Sequence, residues 1–173
     1  MGDALRRLFL SIGIGLGLAS GQPDPSLLAR IDVVGGALAV SARVEHAFAP
    51  GALELVEAGT RVALRFSAQV EAPAGGTIRI EETRAIWYDL RSGRYGVSFG
   101  GGKTTALVDP EAARNLAAGL SDLELCREAD AAEGARVAVR AEIGIIDSAG
   151  QWHDAPVLWN YRVPRVILPP GGR

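Results

Sequence analysis

The segment Gly100-Gly101-Gly102-Lys103-Thr104 has the ending of a nucleotide-phosphate loop. Such a loop needs a further glycine five residues before its Gly-Lys pair, because those backbone amides form the cradle. That position is Val97. The nearest helical pattern, Asp109–Leu120, starts too late to offer its N-terminus, so the segment reads as a plain connection. His46 and His153 are the only histidines. A zinc site wants three or four N, S or O ligands. His153 and Asp154 could supply two, and His46 a third only if folding brings it there, so no metal and no cofactor is expected. Cys126 could pair with a histidine as nucleophile and base. Its neighbours Glu124, Arg127 and Glu128 form no catalytic signature, and a lone thiol behaves mostly as a small apolar group. Glu81 and Glu82 are adjacent carboxylates, but neighbours on a strand point to opposite faces. No serine lies in a Gly-x-Ser-x-Gly elbow. Aromatic residues remain. Tyr88 and Trp159 fall on core parities. Trp87 and Trp152 do not, and with His153 they are the candidate binding residues, since exposed aromatic rings mark binding surfaces. The competing reading is that the rings cover strand ends.

These residues are positioned by Thr77–Phe99, which reads as two strands joined by a polar turn at Asp89–Arg94. Ile78, Ile80, Ile86 and Tyr88 share one parity, and Tyr95, Val97 and Phe99 share one on the return strand, so each set lines one sheet face. Gly93 can supply the positive φ of the turn. Glu82 and Arg84 interrupt the apolar parity. A β-bulge, a wet edge or a mutual pairing would each account for them.

The 173 residues suit one domain. Residues 1–21 have the three parts of an export signal: Arg6 and Arg7, the apolar run Leu8–Ala19, and small residues at Ala19-Ser20-Gly21. Cleavage after Ala19 or after Gly21 fits. The run is short of the ~20 residues that span a bilayer. Removing residues 1–21 takes away one acid and two arginines, moving the net charge from −2 to −3. An acidic mature chain argues against nucleic acid as partner. The single cysteine permits no internal disulfide, so the fold must stand on its core. The implied localisation is the periplasm or cell envelope.

Residues 22–29, with Pro23 and Pro25, read as a linker, and 30–168 as the domain. Ala37–Glu45, Thr60–Glu71 and Arg136–Asp147 alternate as half-buried strands. Residues 52–58 spell a short helix ending at Gly59. Asp109, Pro110 and Glu111 start a second helix, 110–118, that Gly119 ends. Its apolar face is mostly alanine, which suits close packing on a sheet. Asp122–Arg127 is a short strand. Trp152–Leu168 reads as a last strand at an edge or interrupted, because Pro156 and Pro164 each remove a ladder donor. Gly100–Lys103 reads as a flexible loop and 169–173 as a disordered tail. Seven or eight mostly antiparallel strands with few helices predict a two-layer β-sandwich, immunoglobulin-like in general architecture but without its cysteine pair.

From Leu53 to Trp159 the segments LELVEAGTRVALRF, AIWYDLRSGRYGV and VLWNYRV resemble an uncharacterised family of exported bacterial proteins, a domain of unknown function. The resemblance implies an exported β-rich domain and assigns no activity and no functional residue. The leading functional reading is a non-catalytic envelope domain that binds a protein or peptide, by edge-strand pairing or through an aromatic patch near Trp87 and Trp152. The alternative is a carrier of an apolar, lipid-like ligand between the sheets or under the 110–118 helix. A hydrolase using Cys126 or a carboxylate is the third.

Overall fold

A computed structural model describes residues 25–34, 36–71, 76–100, 102–127, 136–155 and 166–168. The export signal, Pro156, Val157, Trp159, Tyr161, Val163, Pro164 and the 169–173 tail lie outside the described residues.

The chain forms a two-layer antiparallel β-sandwich. Strands β1 (Ser26–Val34), β2 (Ala37–Glu45) and β7 (Gly119–Arg127) make the smaller sheet, in the order β1-β2-β7. The larger sheet holds β3 (Arg61–Glu71), β4 (Thr77–Asp89), β5 (Arg94–Ser98), β6 (Thr104–Leu107) and β8 (Arg136–Ile146). It also holds β9 (Trp152–Asp154) and β10 (Val166–Leu168). Its order is β10-β8-β3-β4-β5-β6, and β9 pairs with β8 as well. Helix α1 (Pro50–Glu57) links β2 to β3, and α2 (Pro110–Ala118) links β6 to β7.

The alternation read from the sequence decides which sides meet. Val62, Leu64, Phe66, Ala68 and Val70 of β3 are buried. They face Val137, Val139, Ala141, Ile143 and Ile145 of β8 in register, with Leu38, Val40, Ala42 and Val44 of β2 in the same core. Burying each large aliphatic or aromatic side chain contributes about 1.5–3 kcal/mol. The smaller sheet covers only part of the larger one. Over Ile86 and Val97 the cover comes from α1 and α2, which touch β3, β4 and β5.

Both helices end as their sequences dictate. The Asp109 carboxylate accepts from the amides of Glu111 and Ala112. Gly59 has φ +85°, its amide donates to the Val56 carbonyl, and the Thr60 amide donates to Leu55. That pair of bonds needs a left-handed residue, which glycine supplies without strain. Ala113 and Ala117 are fully buried, so the alanine face of α2 packs closely as expected.

Two boundaries differ from expectation. β1 begins at Ser26, inside the expected linker, because Ser26–Ala29 pair with Ala42–Glu45. Thr104–Leu107 is a strand, although three of its four side chains are exposed and leave no alternation to read. The Phe99 amide donates to the Lys103 carbonyl where β5 passes to β6. Of the expected last strand the described residues form two pieces, in keeping with the interrupted reading, β9 on the Gly144–Ile146 stretch of β8 and β10 on Val137–Val139. The two prolines fall between these pieces.

The β3–β4 ladder runs unbroken from Val62–Ile86 to Glu71–Thr77. No bulge shifts Glu82 and Arg84, which share the inner face with Ile80 and Ile86. They pair with each other instead: Arg84 Nε lies 3.0 Å from Glu82 Oε1.

Candidate functional site

Trp87 and Trp152 both lie on the outer face of the larger sheet. Trp87 stands opposite Gly96 in the β4–β5 ladder, and the Trp152 ring lies over Gly144 of β8. A methyl group at either glycine would come closer than 3.0 Å to the ring. A guanidinium sits over each ring: Arg61 at 4.8 Å from the Trp87 centroid and Arg65 at 4.4 Å from that of Trp152. Arg65 is fixed by Glu142, whose Oε2 accepts from Nε at 3.1 Å and Nη2 at 2.5 Å. Trp152 Nε1 donates to Asp154 Oδ1 at 2.6 Å. Gly144, Ala63 and Ala85 stand side by side across β8, β3 and β4, and all three are buried although they share this outer face. The rings and arginine stems thus roof a row of small residues.

The structure brings Trp87 and Trp152 to one face but not to one cluster. They stand three strands apart, about 14 Å at ordinary strand spacing, and each is occupied by its own glycine and arginine. His153 follows Trp152 by one residue, so alternation directs it to the other side. It is exposed, and its Nε2 donates to Asp147 Oδ2 at 2.9 Å.

Asp147 organises the β8–β9 turn. Besides the imidazole it accepts from the amides of Gln151 at 2.8 Å and Ala149 at 2.9 Å. These donors hold its carboxyl below the ordinary 3.8, the His153 bond being the largest cause. A depressed carboxyl contributes stability that is present above the unfolded value and lost as pH falls through the folded one. The turn is therefore expected to loosen below about pH 4. Amide exchange at Ala149 and Gln151 should accelerate there in the native chain. In Asp147→Asn it should be faster at neutral pH and lose this acid dependence.

The other chemistry-bearing residues stay apart. Cys126 is half-buried near the end of β7, opposite Leu38, while His46 follows the far end of β2. At 3.4 Å per residue that separation is roughly 25 Å along the sheet. No group of three or more His, Cys, Asp or Glu among the described residues could hold a metal ion.

A cleft that the sequence did not announce lies across the smaller sheet. It is open, about 600 Å³, and is lined by side chains from β1, β2, β4, α2 and β7. Arg30, Arg43 and Arg84 line it against one acid, Asp122. Arg43 Nη2 donates to Asn115 Oδ1 at 2.6 Å. Gly119 is the β7 partner of Arg43 in the ladder. Arg84 enters from the larger sheet. Its Nε faces Glu82, its Nη1 donates to the Leu116 carbonyl at 3.1 Å, and its guanidinium lies 5.1 Å from the Phe99 centroid. The side chain is 11% exposed. A two-for-one bulge shapes the floor: Ser121 and Asp122 oppose Ser41, with Asp122 at φ +51°. The Asp122 amide donates to Ser41 Oγ at 3.2 Å, and Ser41 Oγ donates to Asp122 Oδ1 at 3.3 Å. Bulges of this kind re-aim side chains beside functional sites. Leu28, the cross-strand partner of Arg43, is 54% exposed beside it. The only earlier signal of the cleft was the charged pair on the apolar parity of β4.

Comparison with family models, curated proteins and solved structures finds no match in any of the three. What the domain does must be argued from its own residues.

Proposed function

We propose that this chain is an exported, non-catalytic domain of the periplasm or cell envelope that binds a protein or peptide partner. The binding surface is the cleft on the smaller sheet, rather than the Trp87 and Trp152 patch. One observation carries the reading: an open trough, walled by exposed Leu28 and by three arginines drawn from three different strands. Interfaces combine apolar anchors with arginine in this way. A polar, open lining suits a peptide chain better than the acyl chain of a lipid carrier. Membership of the exported family that the sequence resembles belongs to the same proposal.

Beside the trough, β1 pairs with β2 along all nine of its residues, in register and without a bulge. Its other edge carries no ladder partner among the described residues. An extended peptide adding to that edge would gain main-chain bonds there.

Photo-crosslinking tests the surface. A photoreactive aromatic amino acid at Leu28 should give discrete adducts in intact cells. The same group at Val108, 71% exposed between β6 and α2, should give none. Arg43→Glu should weaken the Leu28 adducts. Equal labelling from both positions, or none from Leu28, would remove the cleft as the binding surface.

A further inference from the structure

We infer that the cleft recognises a carboxylate on its partner, so that the preferred ligand is an acidic peptide segment read by Arg84 and Arg43. This inference rests on the binding function proposed above and names the chemistry of the partner.

The positions of donors carry it. A guanidinium has five N–H donors in a fixed fork. Arg84 spends Nε on Glu82 and one Nη1 donor on the Leu116 carbonyl. Its Nη2 has no hydrogen bond among the described residues. No buried side-chain nitrogen among the described residues lacks a partner. The solvent that Arg84 meets is the cleft it lines. The Phe99 ring beneath the guanidinium and its two bonds fix the plane of the fork. Arg43 is held in turn by Asn115 Oδ1. It keeps its remaining donors at the same cleft. Two guanidinium groups are thus pre-oriented before any ligand arrives, which lowers the ordering cost of binding.

Charge pairing singles out Arg43. The lining carries three arginines and one aspartate. Arg30 is offset by Asp32 at 3.0 Å, and Glu82 offsets Arg84, but neither Asp32 nor Glu82 lines the cleft. With those two acids counted the charges around the cleft balance, and Arg43 is the arginine whose hydrogen-bond partner among the described residues is a neutral amide rather than a carboxylate. Carboxylates match the planar fork in two parallel bonds, the geometry that arginine provides and lysine does not. Leu28, the cross-strand neighbour of Arg43, fits an apolar residue near that acid.

The experiment is selection of a displayed random 12-residue peptide library on the immobilised full chain. Enriched peptides should carry Asp or Glu at a constant spacing from a large apolar residue. Retention of those peptides should fall by about tenfold or more in Arg43→Gln/Arg84→Gln, the size of one lost charge-assisted bond. It should also weaken as salt is raised. Arg43→Gln alone, at an exposed position, keeps the comparison open where the Arg84 change lowers the melting temperature. Enriched peptides with no acidic preference, or acidic peptides retained equally by the variants, would overturn the carboxylate assignment and leave a peptide-binding function standing. No enrichment over a blank surface would remove both.

Discussion

Replacing Arg84 by alanine is expected to destabilise the domain by about 3 kcal/mol, while replacing both Glu82 and Arg84 by leucine should cost little or stabilise it. The two side chains are 20% and 11% exposed and sit on the inner face of β4, between Ile80 and Ile86. Their mutual attraction offsets most of what it costs to remove two charges from water. Alanine at 84 leaves the Glu82 carboxylate in that place without its cation, and the Leu116 carbonyl without its donor. Breaking a buried pair from one side costs about 3–5 kcal/mol. The lower end applies, because Glu82 keeps some water. Two leucines would instead extend the apolar stripe of β4 and remove both charges together. Urea unfolding gives the numbers as midpoints at constant slope. A single substitution costing under about 1 kcal/mol would show that solvent already screens the pair. A double variant as damaged as the single one would show that shape, not charge, decides the site.

That comparison also separates folding from function. An ion pair that leucines can replace without loss is not kept for stability. The double leucine variant should fold and melt normally, yet lose the Leu28 crosslink and the retention of acidic peptides. The strand carrying Glu82 and Arg84 thus gives up part of its apolar face where the smaller sheet and α2 leave a gap.

Alternation alone made β3, β8 and the β4–β5 hairpin legible, because one face of each is mostly apolar, and in β3 and β8 that face is buried. The Asp109 and Gly59 caps were legible because each acts within four residues of its own position. The β6 strand was not, since an exposed four-residue edge strand has no buried parity to show. The cleft was hidden for a different reason. Arg30, Arg43, Arg84 and Asn115 come from four elements, and only the stacking of two sheets brings them together. A sequence pattern reports the face a residue occupies, not what the other layer puts against it. The broken parity at Glu82 and Arg84 was the trace left in the sequence, where pairing was one of three open readings. The surroundings of the aromatic residues were hidden in the same way. Trp87 and Trp152 do sit off the core parity, but what they cover is Gly96 and Gly144, on strands that had to be placed first.

The covering role of Trp87 makes the second strong prediction, a change of sign. In the native chain Gly96→Ala should destabilise by about 1–3 kcal/mol, the usual cost of forcing extra volume into a packed site. The added methyl would lie closer than 3.0 Å to the Trp87 ring, so the ring must lift and release Arg61. In a domain of this size each kcal/mol moves the melting temperature by about 2–4 °C. Trp87→Ala should also destabilise, since it uncovers buried Gly96 and leaves Arg61 without its ring. With the ring gone, however, Gly96→Ala should become neutral or stabilising. Glycine within a strand costs conformational entropy and packs nothing, by about 0.5–1 kcal/mol relative to alanine. The pair therefore couples strongly, and the double-mutant cycle should return at least about 1.5 kcal/mol of interaction. Melting curves of the four proteins suffice. Additive effects would mean that the ring does not lie on the glycine, and the outer face would return as a candidate for binding. A coupled result would mean that both faces of the ring are occupied, by backbone below and guanidinium above.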